Sequence, residues 1–600
     1  MAKPALIEIR DFASGGMNTF KHPRELSPTE AVTSTGVDYS DGTLKGFYGL
    51  GTADKTGIAA NQFWVHFLNL GANTWRTSVS REFACDDGTF VVGGASYGLS
   101  YYTDVAGSGG LLFSADSITN HAMGIASPAV PTQSGGSGGV VRSYRITHKA
   151  RYTQLNITVE SNPSPALNSA NSTVTLAFAA AAADTTGITN STAVYATDPG
   201  ATGAGLLYYL IWEVAAGVTG YMDASQGHLL NGPAGVGNPT ILAWDVNGVH
   251  SNAVYQQDHT PPPTAITILA NTLLGVPAAP VVTVPGDSTR AGILLAGYGT
   301  TLCWSQSGNP WHWPVINQAT LDDTIEAIVV DRGTAYVITQ SGVYAVTGYD
   351  DWNLSTSKIA ATHGCVPGGG TAAMRTPHGI VYPSYDGLAI LDMTAYGTLG
   401  GVTRNITDGV MAIGFGAPTS TLTNLYMAAY QDEVYVFCDG QGHGYLVDFQ
   451  TWPQIRVTKA DFSTIVAMTT VRYAIGLTGG KTGLHVLDTS GNIKPWYPRQ
   501  GALVSATKIV WTHTTGAFDL GDPTKANRFC RSWFAQNTAS DVTLTFNCYS
   551  YTGTLIGTLS GITASSWLPA TFTGDYLQVV IAATVGTDVF EGLSIEAEIL

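Results

Sequence analysis

The feature that most constrains this chain is a hairpin pattern that recurs between about Ala291 and Asp488. Five times, a run rich in β-branched and aromatic residues meets a second run across a short turn. The pairs are Ile293–Ala296 with Thr300–Ser305, Ala335–Thr339 with Val343–Thr347, Gly379–Pro383 with Leu388–Leu391, Leu425–Tyr430 with Val434–Cys438, and Tyr473–Leu477 with Leu484–Asp488. Such pairs predict antiparallel hairpins. Their turns centre near Tyr298, Ser341, Asp386, Asp432 and Gly479, at steps of 43, 45, 46 and 47 residues. A strand-rich unit repeating every 40–50 residues or so points to propeller blades. A blade cannot bury both of its faces alone, so blades pack radially and close a ring. Val37–Lys45, a hairpin across Asp41-Gly42, and the strand-like Phe63–Val65 and Thr89–Val92 would add to the five, for roughly six to eight blades. The same spacing also fits a series of meanders in a β-sandwich.

Other stretches differ in texture. Residues 132–139, TQSGGSGG, read as a flexible linker. Residues 141–226 have the size of an immunoglobulin-like sandwich, with candidate strands Tyr144–His148, Leu155–Glu160, Val174–Phe178, Thr192–Ala196 and Leu206–Val214. The alanine run Ala179–Ala183 reads alternatively as a helical turn. Pro261–Pro263 mark a rigid connector. From about Val504 to Leu600, alternation such as Val542–Tyr549 and Tyr576–Ala582 predicts a terminal β-sandwich.

Six hundred residues exceed what one core can organise, so about three or four domains are expected. Only 12% of the residues are charged, against about 25% in an ordinary soluble domain. Gly, Thr, Ala and Ser fill the difference, a balance that suits strands and turns. A formal charge of −16 with scattered basic residues excludes ordinary duplex-DNA binding, which needs clustered Lys and Arg against the phosphates. The six cysteines, Cys85, Cys303, Cys365, Cys438, Cys530 and Cys548, contain no C-x-x-C pair, so buried thiols are expected and zinc is not. MAKPALIEIRDF lacks the apolar core of a signal peptide, and the longest apolar stretches, Val174–Ala183 and Leu206–Val214, are too short to span a bilayer. A chain made in the cytoplasm and soluble there, with no membrane-spanning segment, is the expectation.

Several strings resemble catalytic motifs and fail a physical requirement. Gly135-Gly136-Ser137-Gly138-Gly139 fits G-x-S-x-G but has no apolar strand before it to build a strained elbow. Gly476 through Gly480-Lys481-Thr482 is one residue short of a P-loop and leads into a strand, not a helix. Asp86-Asp87, Asp322-Asp323 and Asp350-Asp351 are adjacent, and strand neighbours point to opposite faces. These are read as exposed turn carboxylates. The thirteen histidines show no H-E-x-x-H spacing. Trp311-His312-Trp313-Pro314 offers two aromatic rings for stacking on a sugar or base, and reads more readily as an aromatic plug at a blade edge. No catalytic residue, cofactor or metal is expected.

Several segments, in chain order, resemble the tail nozzle (tail tubular, or tail hub) proteins of short-tailed bacteriophages. Phe12-Ala13-Ser14-Gly15-Gly16-Met17-Asn18 is similar to their opening F-x-G-G-x-N, followed by Leu26 to Ala31 and Gly36-Val37-Asp38. Glu160-Ser161-Asn162-Pro163-Ser164-Pro165 resembles the E-S-x-P-S-P of a fibronectin-like insertion, whose usual R-I-Y-R is altered here to Ala193-Val194-Tyr195-Ala196. Val218 to Asp223 is similar to its closing T-x-Y-x-D. Trp304-Ser305 with Asn309-Pro310-Trp311-His312-Trp313-Pro314, Thr339 to Tyr344 with Gly348, Gly364-Cys365-Val366, and Ser384-Tyr385-Asp386-Gly387-Leu388 resemble propeller motifs of that family. The C-terminal Leu593 to Leu600 resembles its A-x-S-x-x-E-L with the middle altered.

The resemblance implies an all-β fold: a β-propeller with an inserted immunoglobulin/fibronectin-like β-sandwich and a C-terminal β-sandwich. Its divisions would be 1–131, an N-terminal β segment contributing blades or a platform; 141–226, the insertion; 227–500, the blades; and 501–600, the terminal sandwich. It implies a non-enzymatic virion protein, made in the host cytoplasm, that forms a homohexamer below a head-to-tail adaptor ring. Tail fibres or a tip protein would dock on it, and viral double-stranded DNA would pass through its lumen without sequence-specific binding. Gly15, Gly16, Asn18, Trp311, Trp313, Pro314, Gly364, Cys365, Asp386 and Gly387 are its structural motif positions. Six copies of −16 give −96, so an acidic or neutral-polar lumen is expected, past which DNA would slide. The alternative is a receptor-binding or glycan-depolymerising tail protein built on a propeller.

Overall fold

In a computed structural model, the structure describes residues 5–223, 260–269, 293–405, 425–471 and 483–600, apart from shorter internal stretches such as 104–109 and 198–206. The chain is all-β, built from many antiparallel sheets. Among the described residues there is no α-helix, and Gly370–Ala372 forms a 3-10 turn.

Seven sheets follow one another along the chain. Sheet I pairs Trp64–Leu68 with Thr74–Ser78. Sheet II is a four-stranded meander from Ala84–Val92 to His121–Ala122, and sheet III another from Ile268–Leu269 to Gln318–Thr320. Sheet IV runs from Ile325–Asp331 to Ser355–Ile359, and sheet V from Met374–Thr376 to Val402–Asn405. Sheet VI spans Leu425–Tyr430 to Arg456–Asp461, and sheet VII holds Ile465–Val471, Gly483–Asp488 and Ile493–Trp496. The first four predicted hairpins are found in sheets III to VI. The fifth is corrected: Gly483–Asp488 pairs with Ile465–Val471, while Tyr473–Leu477 and the Gly479-Gly480 turn lie outside the described residues.

Burial explains why these sheets stack. In sheet IV, Thr334–Thr339 and Val343–Thr347 are buried on both faces, whereas the last strand, Ser355–Ile359, is exposed at four of its five positions. A strand covered on both sides needs a neighbouring sheet on each face. Shared apolar clusters supply them. Phe113 of sheet II meets Leu294 and Ala296 of sheet III, and Leu302 meets Ile328 of sheet IV. Val329 and Ile338 meet Ile380 and Leu391 of sheet V. Val381 and Ile390 meet Met427 and Val447 of sheet VI, and Ala428 and Leu446 meet Leu484 and Val486 of sheet VII. Val65 of sheet I joins this last cluster, while Arg76 of sheet I lies 3.9 Å over the Tyr102 ring of sheet II. The last sheet of the series therefore touches the first.

Between sheets II and III the chain leaves to form two further sheets. Arg142–Tyr152, Ile157–Glu160, Leu167–Ser169, Ile188–Ala196 and Tyr209–Ala215 build one; Thr132–Ser137, Thr173–Ala177 and Gly220–Asp223 build the other. Tyr144, Ile146, Val174, Leu176, Val194 and Trp212 fill the space between them. The five strands expected here are present. Two expectations are overturned. The supposed linker TQSGGSGG is a strand over Thr132–Ser137, irregular between Ser134 and Ser137, because Gly and Ser still offer the backbone groups that Thr173–Ala177 needs. The alanine run Ala179–Ala183 forms no helical turn.

The C-terminal strands form two sheets around one core, and strands from the chain's beginning complete them. Val589–Ile599 pairs on one side with Asn527–Gln536 and on the other with Ala5–Arg10 and Leu44–Gly46. In the facing sheet, Glu30–Thr35 pairs with Thr512–Thr515, which continues through Tyr576–Ala582 and Thr543–Tyr549 to the outermost strand Leu555–Ile562. The Val37–Lys45 hairpin exists, between Val37–Asp38 and Leu44–Gly46, but it serves this region and forms no sheet of the series. A single backbone pairing, Thr35 with Lys459, joins the facing sheet to sheet VI.

Candidate functional site

The resemblance positions provide the test of where this protein keeps its specialised residues. Gly15 and Asp386 lie outside the described residues. Gly16, Asn18, Trp311, Trp313, Pro314, Gly364 and Cys365 fall at joints between parts of the fold, and Gly387 lies within the hairpin of sheet V.

Trp311 and Trp313 are 2% exposed, which removes them as a stacking platform and leaves the plug reading. Trp311 packs edge-on against Phe113 of sheet II at 5.6 Å and stacks with Tyr152 of the insertion at 6.4 Å. The Trp313 indole donates to the Pro310 carbonyl at 2.8 Å, and the Trp313 amide donates to Thr260. Thr260 returns its own amide to Nδ1 of His312 at 2.8 Å, so this nitrogen accepts and the neutral ring carries its proton on Nε2. Pro314 caps the turn, its carbonyl accepting from Asn317. The motif thus ties sheets II and III, the insertion and the connector at 260–263 into one seam.

The insertion motif has a comparable cause. Ser161 and Ser164 each exchange backbone and hydroxyl hydrogen bonds with the strand Arg142–Tyr152, at His148 and Ile146, with distances of 2.8–3.0 Å. Pro163 between them and Pro165 after them have no backbone N–H to leave unpaired along this edge. Glu160, buried, accepts from Thr147 and from Tyr195.

Gly364 and Cys365 cross from sheet IV to sheet V. The Cys365 amide donates to Thr339 and that of Val366 to Pro383. A Cβ on Gly364 would sit 2.0 Å from the Gln340 carbonyl oxygen, and one on Gly370 would sit 1.5 Å from that of Glu326. Only glycine permits so close a backbone approach. Burial pushes the Cys365 thiol well above its usual range, and Cys303 up to about 12 for the same reason. Cys303, Cys365 and Cys548 are buried free thiols; the side chains of the other three cysteines are not described. Gly387 opens its strand with φ of 131° opposite Ser384. Nearby, Glu326 accepts from Gln340 Nε2 at 2.8 Å and from the Gly368 amide at 2.9 Å; burial nevertheless raises its carboxyl above the ordinary value.

Gly16 has φ of 147° and lies against the backbone of Arg456. Asn18 is buried, donates its amide to Ala31 at 2.8 Å and its side chain to Glu30 at 3.2 Å. The opening motif therefore docks the chain's beginning onto sheet VI.

Two polar assemblies escaped the sequence reading. In the first, Asp448 of sheet VI accepts from Arg456 at 2.5 Å and Arg499 at 2.8 Å, and Asp38 faces both Arg499 at 3.2 Å and Lys45 at 3.7 Å. Ser34, Tyr39, Thr458 and His513 continue it: Tyr39 donates to Ser34 at 2.6 Å and lies 3.0 Å from His513 Nδ1. With its hydroxyl proton given to Ser34, Tyr39 receives the Nδ1 proton of His513. Burial holds His513 down at about 3 and raises the Tyr39 phenol. In the second, residues 50–58 lie along the outer edge of Ile493–Trp496 without forming a strand, through isolated bridges of Leu50 with Trp496 and Lys55 with Ile493. His485 Nε2 lies 3.0 Å from the Asp54 carboxylate, with the Trp75 ring of sheet I 4.9 Å away. The parts that each assembly joins lie hundreds of positions apart, Asp38 with Arg499, Tyr39 with His513 and Asp54 with His485, so no local pattern announces them.

Of the strings that resembled catalytic motifs, Gly135 and Ser137 lie on the strand Thr132–Ser137, and 476–482 lies outside the described residues. Asp322 is exposed beside Lys358. The Asp351 carboxylate accepts from the Ser307 amide and the Asn317 side chain. Among the described residues, no group of three or more His, Cys, Asp or Glu is placed to hold a metal ion, and no helix is long and apolar enough to cross a membrane.

No protein-family model and no curated protein matches the chain. Among solved structures, similarity is found to the BBS1N part of a complex with ARL6DN, at 12% identity and TM-score 0.23 over 49% of this chain and 87% of that one. PorZ, a bacterial surface component of the type-IX secretion system of Porphyromonas gingivalis, gives 10% and 0.22 over 56% and 42%. Apo AztD from Citrobacter koseri gives 8% and 0.21 over 74% and 99%. Likenesses this low carry no argument about fold or activity.

Proposed function

We propose that this chain is a structural subunit of the tail nozzle of a short-tailed bacteriophage, with sheets I to VII closing into a seven-bladed propeller. The observation that carries the reading is the position of the resemblance residues. Gly16, Asn18, Trp311, Trp313, Gly364 and Cys365 lie buried in the seams between sheets, where they fix geometry. That is the placement a scaffold requires. The ring is supported by the unbroken succession of shared cores from sheet II to sheet VII, and by sheet I, which touches both ends of the series. Residues 50–58 would close the ring, because from the beginning of the chain they run beside the outer strand of the last sheet and bridge to it at Leu50 and Lys55.

In this reading the protein catalyses nothing. Six copies form a ring under the adaptor, tail fibres or a tip protein dock outside, and the genome slides through. The net charge of −16 per chain supports a lumen that repels phosphate instead of holding it. The fibronectin-like character of the insertion and the sandwich character of the C-terminal pair of sheets belong to the same proposal.

Light scattering on the purified chain, with immunogold labelling of virions, tests it. The expected result is a mass six times 62.9 kDa, free or on an adaptor ring, with label at the distal end of the tail. A trimer that shortens a capsular polysaccharide would replace this reading with a depolymerising spike.

A further inference from the structure

The longest stretch of this sequence without Asp, Glu, Lys or Arg runs from 542 to 574. It builds the hairpin of Thr543–Tyr549 and Leu555–Ile562, and the second of these strands is the last of its sheet. Leu555 is 50% and Ile556 55% exposed. Successive residues of a strand point to opposite faces, so this strand stands in solvent on both. Tyr551 at the hairpin turn and Trp567 in the facing sheet are exposed as well. Trp567 belongs to Ser566–Trp567, outermost on its own sheet, and Gly574 lies against Cys548, so both edges share one lateral side of the C-terminal region.

Natural sheets protect an exposed edge with Lys, Pro, short length or strong bulging. Leu555–Ile562 has eight residues, none of them charged or Pro, and two irregularities toward its inner partner. Its outer side pairs with no strand among the described residues. An edge left in this condition templates another strand.

We propose that Leu555–Ile562 is the docking strand for a second copy of this chain. The argument for that occupant is charge. Chains of net −16 repel one another, and the strand Leu555–Ile562 brings no acidic side chain of its own to a neighbour. The Asp575 carboxylate at the hairpin turn is held by the Tyr551 amide, and Arg24 and Arg531 lie over the Tyr551 and Trp567 rings. The chain also carries an edge to receive it. Ala5–Arg10 pairs with Val589–Ile599 on one side only, among the described residues, and Leu6 is 54% exposed. That edge lies on the opposite lateral side, where Phe12 meets His513 of Thr512–Thr515 at 5.5 Å. Joining opposite edges is a head-to-tail contact, which closes a ring when the rotation fits. The inference rests on the nozzle reading only for the number of copies.

The test compares masses of full-length variants by light scattering, with circular dichroism to verify folding. Leu555→Lys/Ile556→Lys and, separately, Leu6→Lys place charge on the two edges. Leu6 lies opposite Glu596, so a lysine there is compatible with the fold. Each is expected to convert the wild-type oligomer to monomer, while Leu207→Lys, at a 62% exposed site on the insertion, leaves it intact. A hexamer that survives both edge changes overturns the docking strand and leaves the nozzle reading standing. A wild-type assembly of another size that the edge changes dissolve does the reverse. Variants that keep the wild-type mass but no longer join an adaptor ring assign the edge to a different partner and overturn the second-copy proposal.

Discussion

Sheet IV and the C-terminal sheets use similar residues and bury them in different rhythms. In Thr334–Thr339, five of six positions are buried in succession, and Gly379–Ser384 of sheet V is buried throughout. In Thr543–Tyr549, buried and partly buried positions alternate along the whole strand. The first rhythm belongs to a sheet with neighbours on both faces, the second to a sheet covered on one. The two regions therefore fail differently. A seam between stacked sheets has no slack for added volume, whereas the C-terminal region depends on polar contacts that bring the two ends of the chain together.

The largest effect should come from the seams. Gly370→Ala would drive its methyl into the Glu326 carbonyl, and separating sheets IV and V to admit it should cost on the order of 4 kcal/mol or more. Gly557→Ala, on the exposed edge strand with nothing within 4 Å of its would-be Cβ, is expected to leave the denaturation midpoint unchanged or slightly raised. Equal losses at the two positions in urea unfolding would erase the distinction between the regions.

Next in size is the joint between them. Asp448 and Arg456 are each 4% exposed at their side chains, and Arg499 shares the same carboxylate. Asp448→Ala leaves two guanidinium groups without that partner, for a loss of about 3–5 kcal/mol. Asp448→Asn, which keeps a hydrogen-bond acceptor, should recover part of it. A midpoint insensitive to both changes would mean that the ends of the chain are held by their backbone ladders alone.

The two regions also differ in what the sequence reveals. The hairpins at Ala335–Val346 and Leu425–Cys438 are legible because both arms and the turn lie within a short window, and register follows from burial. Alternation in 542–549 and 576–582 likewise announces a sheet with one covered face. The pairing of Ala5–Arg10 with 592–597, or of Glu30–Thr35 with Thr512–Thr515, is not legible, because partners hundreds of residues apart leave no periodicity. The same holds for Asp38 with Arg499 and for Tyr39 with His513. The tryptophans at 311 and 313 were visible as an aromatic cluster, and burial decided between platform and plug. TQSGGSGG misled because composition reports flexibility of a free chain, and a neighbouring strand can order it.

A smaller, graded effect separates the regions by pH. His513 is neutral in the folded protein, held down at about 3 by burial, while the unfolded chain binds its proton near the ordinary value of 6.5. Between these values the unfolded state carries more protons, so stability falls as pH is lowered from about 6.5 toward 3, at up to about 1.4 kcal/mol per unit from this group. Above 6.5 the histidine contributes no slope. Carboxylates add their own acid dependence, so the diagnostic is a difference: His513→Asn should flatten the slope of the urea midpoint between about pH 6 and 4.5. Parallel slopes would remove His513 from the acid response of the C-terminal core.

The least effect is expected at the outer strand of sheet IV, where Lys358 meets Asp322 at 3.3 Å with side chains 46% and 74% exposed. This pair has the same charges as Asp448 and Arg456, and Tyr344 and Lys358 beside it hold the Asp322 carboxyl below its usual value. Water and salt nevertheless screen it, and ordering two mobile side chains offsets most of what the contact gives. Lys358→Ala and Asp322→Asn should therefore leave the thermal midpoint where it is, at low and at high ionic strength. The comparison is sharp because both are carboxylate–cation contacts, one an ammonium at the rim of a stacked sheet and the other two guanidinium groups in the seam of the joint. If the rim pair proved as costly to break as Asp448, the outer strand would have to be covered in the working protein, and the gradient of burial from inner to outer strand would no longer describe how these sheets are loaded.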